Sequence, residues 1–238
     1  MAVALSRENY VLHKLHSLSG IIPVGFYMLQ HLTLNTFSLG GPDKFNGVVN
    51  FFDGMPKHFL LTLEICLIWT PLLFHAVYGL FIVNRAVPNN SNPKYASSQN
   101  NMFVLQRWTG IFIFFFLCFH VFTTTILAKA QGVETIQYAA WQANFSGGLG
   151  AARFALYLLG ILACAYHLAY GIWNFCIRWG ITISDAAQAR VQKFSMGAFV
   201  VITLIGWSAL AGFLIYHTEP PAPAPETVLP STTSMQLR

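Results

Sequence analysis

Two histidines stand where an imidazole has no ordinary place. His75 lies in PLLFHAVYGLF (71–81), within a mostly apolar run from Phe59 to Val83. His167 lies in YHLAYGI (166–172), which repeats the local order of aromatic, His, two residues, Tyr, Gly, aliphatic. Hydrocarbon offers no partner to a ring nitrogen, so a membrane histidine is costly unless something binds it. Gly79, four residues past His75, falls on the same helix face and leaves room beside the ring for something flat. Two histidines in matching surroundings suggest one task done twice, and axial ligation of a haem iron fits both.

Two more histidines, His31 and His120, also lie well inside apolar runs. Membrane histidines can instead serve as hydrogen-bond partners between helices; their depths favour ligation. Adjacent spans run antiparallel. His31 and His120 lie past the midpoints of spans one and three, and His75 and His167 past the midpoints of spans two and four. The pairs therefore fall at opposite levels, separated by roughly 10 Å at about 1.5 Å per residue. In an up-down bundle, helices one and three are diagonal, as are two and four. Each diagonal pair could grip one ring from both faces. This predicts two non-covalent, bis-histidine b haems, with metal ligands His75/His167 and His31/His120. The ring propionates would need partners near water, and His16, Ser17 and Arg178 are at suitable depth for the inner one. His13 and His16 could equally be interfacial anchors beside Lys14. Without a C-x-x-C-H motif, c-type attachment is excluded.

The elements that hold these residues follow from composition. Charged residues make up 9% of the 238 residues and apolar types 55%, which describes an integral membrane protein. Five apolar segments span roughly 18–38, 59–83, 103–128, 154–177 and 197–216. The expected fold is all-α, with five transmembrane helices, the first four forming an up-down bundle around the haems. Residues 1–217 read as a single transmembrane domain. Residues 218–238 read as a disordered Pro-rich tail, and the loop 84–102 as irregular. The N-terminus lacks the order of a cleaved secretory signal. Cys66, Cys118, Cys164 and Cys176 all fall in apolar runs and read as packing residues.

Basic residues set the orientation. One side collects Arg7, Lys14, Arg85, Lys94, Arg107, Arg178, Arg190 and Lys193 against Glu8 and Asp185. The other holds Lys44, Lys57, Lys129, Arg153 and Arg238 against Asp43, Asp53, Glu64, Glu134, Glu219 and Glu226. The richer side should be cytoplasmic, placing the N-terminus inside and the C-terminus outside. The net charge of +5 then needs no nucleic-acid partner. Glu64, early in span two, either snorkels to the outer interface or handles protons for a quinone.

The motifs HSLSG-IIPVG…QHL (16–32), LEI…PLLFHAVYG (63–79), QRWTG…H (106–120) and HLAYGIWNFCIRWGI (167–181) resemble the cytochrome b subunit of the succinate dehydrogenase/fumarate reductase family. The type is the single five-span anchor with two haems, and the likeness covers about residues 8–216. It implies the same ligand pairs, His75/His167 for the inner haem and His31/His120 for the outer. It also implies flavoprotein and iron–sulfur partners on the cytoplasmic face of a bacterial membrane, with quinone (menaquinone) as membrane substrate and scope for a higher oligomer. The activity implied is succinate:quinone oxidoreduction, linking the tricarboxylic acid cycle to electron transport. This chain would carry electrons and reduce quinone without touching succinate. Fumarate reduction is the nearest alternative. A cytochrome b anchor of a hydrogenase or formate dehydrogenase, and a haem-free transporter, are further ones. One fumarate-reducing branch carries a glutamate two residues before the helix-four ligand. Ala165 stands there in this chain, so that proton path should be absent.

Overall fold

The computed structural model describes residues 7–85 and 98–218. Most of the expected irregular loop and nearly all of the tail lie outside these residues, as do Lys94, Glu219, Glu226 and Arg238. Within them the chain is helical and contains no strand.

Four helical runs are long and apolar enough to cross a membrane: Lys57–Arg85, Gln99–Gln131, Gly150–Arg178 and Asp185–Gly212. The first expected span is helical too and comparably long, but less apolar than those four. It consists of α1 (Arg7–Ser19), a π turn (Gly20–Gly25) and α2 (Phe26–Asn35). His13, His16, Ser17, Ser19, Gln30, His31 and Thr33 dilute its apolar face. A 3₁₀ turn (Thr36–Gly40) ends it, and Gly41 turns the chain at φ 86°. Pro42 then opens the surface helix α3 (Pro42–Asp53) at the position where a missing N–H costs nothing.

The second span joins α4 (Lys57–Leu63), a π turn (Glu64–Trp69) and α5 (Thr70–Arg85). The third joins α6 (Ser98–Val121), a π turn (Phe122–Ile126) and α7 (Leu127–Gln131). A 3₁₀ turn (Val133–Ile136) and α8 (Tyr138–Phe145) follow it. The fourth span is α9 (Gly150–Arg178). It closes in a Schellman turn: Gly180 sits at φ 71°, and Ile181 N–H donates to Cys176 C=O at 2.9 Å. The fifth is α10 (Asp185–Gly212), capped by the Ser184 side chain, which accepts from Ala187 N–H at 3.3 Å.

The first four spans pack around a ring. α1 lies against α5, α5 against α6, α6 against α9, and α9 against α1 and its π turn. Spans one and three therefore face each other diagonally, as do two and four. α10 lies outside the ring, against α9 and α2. Gly206 lets it approach, since a side chain there would strike Ile161. All four cysteines are free, with Cys66 and Cys118 on the outer surface of the helices rather than in the packing.

The end of the bundle opposite Arg178 is closed by aromatic residues. Phe45 of α3, Tyr138 and Phe145 of α8, Tyr157 of α9 and Phe213 form one buried cluster, with Trp141 packed against it. Buried polar groups latch this cap to the end of α10. Ser38 Oγ donates to Ala209 C=O at 2.6 Å, and the Tyr138 phenol donates to Gly212 C=O at 2.5 Å.

Candidate functional site

The ring brings the four span histidines together as two pairs. His75 of α5 and His167 of α9 have ring centroids 6.2 Å apart, with planes at 86°. His31 of α2 and His120 of α6 have centroids 5.9 Å apart, with planes at 78°. Both contacts cross the bundle diagonally. Imidazole–metal bonds of about 2 Å on either side of a shared ion set ring centroids roughly 6 Å apart. The observed separations suit two rings facing one metal.

Hydrogen bonds orient three of the rings. His75 Nδ1 lies 2.9 Å from the His16 carbonyl. His167 Nδ1 lies 3.2 Å from the Gln106 carbonyl and 3.4 Å from the Thr109 hydroxyl. His120 Nδ1 lies 3.2 Å from the Tyr157 phenol. A carbonyl accepts only, so His75 and His167 carry their proton on Nδ1 and keep Nε2 as a free lone pair. This is the tautomer of a metal-bound histidine. Gln106 braces the same corner from its side chain, whose Nε2 donates to the His167 carbonyl at 3.0 Å.

Glycines make the space around the His75/His167 pair. A Cβ at Gly20 would lie 2.3 Å from His75 Cε1, and one at Gly110 would lie 3.1 Å from His167 Cε1. Each glycine serves a histidine on a neighbouring helix. The space beside Gly79 is filled by His16, whose Cε1 would lie 3.1 Å from an added Cβ. His16 stacks on His75 with centroids 4.1 Å apart and planes 8° apart.

The edge of this pair nearest the Arg178 end is rich in unmet polar groups. His13 Nδ1, His16 Nδ1, the Tyr78 hydroxyl, Gln106 Oε1 and Arg107 Nε are buried without a hydrogen-bond partner. Such atoms are rare in a finished interior and call for a polar ligand. Arg178 lies within electrostatic reach of His13 and His16. Ser17 is already engaged, donating to the Lys14 carbonyl at 2.8 Å and accepting from Trp179 Nε1 at 3.0 Å. Glu64 pairs with Lys129, joining the second and third spans, and its side chain is 17% exposed against 52% for the lysine.

Among the described residues, no three His, Cys, Asp or Glu converge on one point. Each pair offers two nitrogens and no more. That donor set suits an iron whose remaining ligands come from a macrocycle. With the unmet polar edge beside them, the residues present fit a haem.

Residues 84–217 match the family model described as "Succinate dehydrogenase/Fumarate reductase transmembrane subunit". Over 209 residues, the chain is 35% identical to the "Succinate dehydrogenase cytochrome b558 subunit" of Bacillus subtilis (strain 168). That alignment covers 88% of this chain and 98% of the relative.

Proposed function

Because the chain belongs to the succinate dehydrogenase/fumarate reductase family as a cytochrome b subunit, we propose that it is the di-haem membrane anchor of a succinate:quinone oxidoreductase. The observation that carries this reading is the two diagonal histidine pairs, at 6.2 and 5.9 Å. Bound there, two six-coordinate haems would supply one-electron carriage between an iron–sulfur partner at one end and quinone at the other. His75 and His167 hold the inner centre, and His31 and His120 the outer. Arg178 is the cationic partner for the inner propionates and His16 a neutral hydrogen-bonding one, and Ser17 takes part only by giving up its bond to Trp179.

The Arg178 end is assigned to the cytoplasm on its basic residues. The flavoprotein and iron–sulfur subunits dock there, on a bacterial cytoplasmic membrane. Acid–acetone extraction with a pyridine haemochrome assay is expected to give two b haems per polypeptide. A ratio of one, or haem that stays on the chain, overturns the reading.

Quinone, taken as menaquinone, is reduced at the outer end. A single inner centre would already serve a quinone beside the iron–sulfur partner, so a second centre roughly 10 Å further out has a purpose only if electrons leave there. Glu64 is the nearest acidic group, and its pairing with Lys129 ties any proton exchange to breaking that ion pair. Succinate:quinone turnover in sealed vesicles is then expected to change when an uncoupler collapses the membrane potential. Equal rates at all potentials, with a quinone-site inhibitor that perturbs only the His75/His167 centre, would move the site to the inner side.

A further inference from the structure

The two histidine pairs are oriented by different kinds of acceptor. At the inner pair, both Nδ1 atoms face backbone carbonyls, those of His16 and Gln106, with the Thr109 hydroxyl a longer second contact to His167 at 3.4 Å. At the outer pair, His120 Nδ1 faces a side chain, the Tyr157 phenol at 3.2 Å. Tyr157 is 7% exposed and belongs to the aromatic cap. Its ring meets Phe116 edge-on at 5.5 Å, and Phe116 in turn stacks on His120 at 5.9 Å. The phenol therefore has little freedom to leave.

We propose that Tyr157 is a positioning residue that sets the redox potential of the outer centre through its hydrogen bond to His120. This rests on the reading of His31/His120 as an axial pair. A nitrogen bound to iron presents its lone pair, so the proton of His120 sits on Nδ1 and the phenol oxygen must accept it. The phenol then turns its own proton elsewhere, and the Thr123 hydroxyl stands beside it. Thr123 passes the chain on to the Phe119 carbonyl at 2.9 Å.

An acceptor on the far nitrogen makes an imidazole a more basic ligand. A more basic ligand favours the ferric over the ferrous ion and so lowers the potential. Removing the phenol oxygen should raise the potential of that centre alone. At the inner pair each Nδ1 keeps a backbone carbonyl whatever the side chains, including at His167, where the Thr109 hydroxyl is a second and longer contact; at His120 the acceptor is itself a side chain and can be deleted.

The test is a reductive titration of the membrane-bound complex, followed by haem absorbance. The outer component is identified as the one lost in His120→Ala. Tyr157→Phe keeps the ring and deletes the acceptor. At a fixed ambient potential, the ferrous-to-ferric ratio of that component is expected to rise by up to about tenfold, the upper end of what one neutral hydrogen bond is worth. For a one-electron couple this is about 59 mV. The inner component should not move.

Thr123→Val, which removes only the phenol's neighbour, should shift the same component in the same sense by less. If Tyr157→Phe loses the outer haem outright, a shift in Thr123→Val still supports the proposal. Unchanged midpoints in both variants, a shift toward the ferric form, or equal shifts in both components overturn it. If His120→Ala and His31→Ala remove different components, the pairing itself fails, which is a separate result.

Discussion

His75→Ala is expected to delete one of two components from a haem redox titration and leave the other standing. His31→Ala should do the complementary thing. The reason is geometric: His75 meets His167 and His31 meets His120, each across a different diagonal of the ring. On the proposed reading each variant removes one of the two residues that would hold that haem, so its near-complete loss is expected. His167→Ala should reproduce His75→Ala, and His120→Ala should reproduce His31→Ala. The spectrum of each purified variant, titrated from fully oxidised to fully reduced, decides the matter. If His75→Ala and His31→Ala erase the same component, the pairing is wrong.

Gly20→Ala should come close to the effect of removing His75, although it changes no ligand. A methyl at position 20 would lie 2.3 Å from His75 Cε1 and 2.6 Å from Nδ1. The ring has no simple retreat, because it is bonded to the His16 carbonyl and stacked on the His16 ring. Overpacking of this kind costs about 1–3 kcal/mol. Disturbing a ligand's orientation lowers metal affinity by roughly 10–100-fold. The sign is informative, since Gly→Ala within a helix is otherwise favourable by about 1 kcal/mol. Gly197→Ala in α10, where nothing lies within 4 Å, is the control and should be neutral or slightly stabilising. Haem-to-protein ratio and thermal midpoint are the readouts. A Gly20→Ala protein with full haem content and an unshifted inner component would show that the methyl is accommodated.

Much of this architecture was legible in the chain. Long apolar runs can only be helices in hydrocarbon. Alternating direction then assigns each histidine a depth, so both pairs could be read before any packing was known. What the runs hide is which face meets which. Gly20 precedes His31 on its own helix, yet its partner is His75, because the contact depends on how spans one and two are rotated. The three π turns carry almost no signature. Pro23 marks the first, where it withholds an N–H, but nothing in Glu64–Trp69 or Phe122–Ile126 distinguishes them from ordinary helix.

Glu64 read as a lone acid because its partner Lys129 is 65 residues away. Tyr157 was invisible, being one aromatic residue in a long apolar helix. Its value comes from facing His120, 37 residues earlier. Ala165 is a further case. Its side chain is fully buried in a cluster with Leu168 and Ile202, a setting the sequence alone did not show.

The latch at the cap has a consequence for biosynthesis. Ser38 donates to Ala209, a residue 171 positions later in the chain, and Tyr138 donates to Gly212, 74 positions later. On the ribosome, at about 5–20 residues per second, Ser38 waits roughly 10–30 s for its acceptor to be made. The four paired histidines are all translated before α10. The last helix contributes to neither histidine pair, and its arrival fastens the capped end shut. Until then α3 and α8 lie across that end without the latch, so translation itself times how long the His31/His120 pair, on the proposed reading, would stay open to an incoming ring.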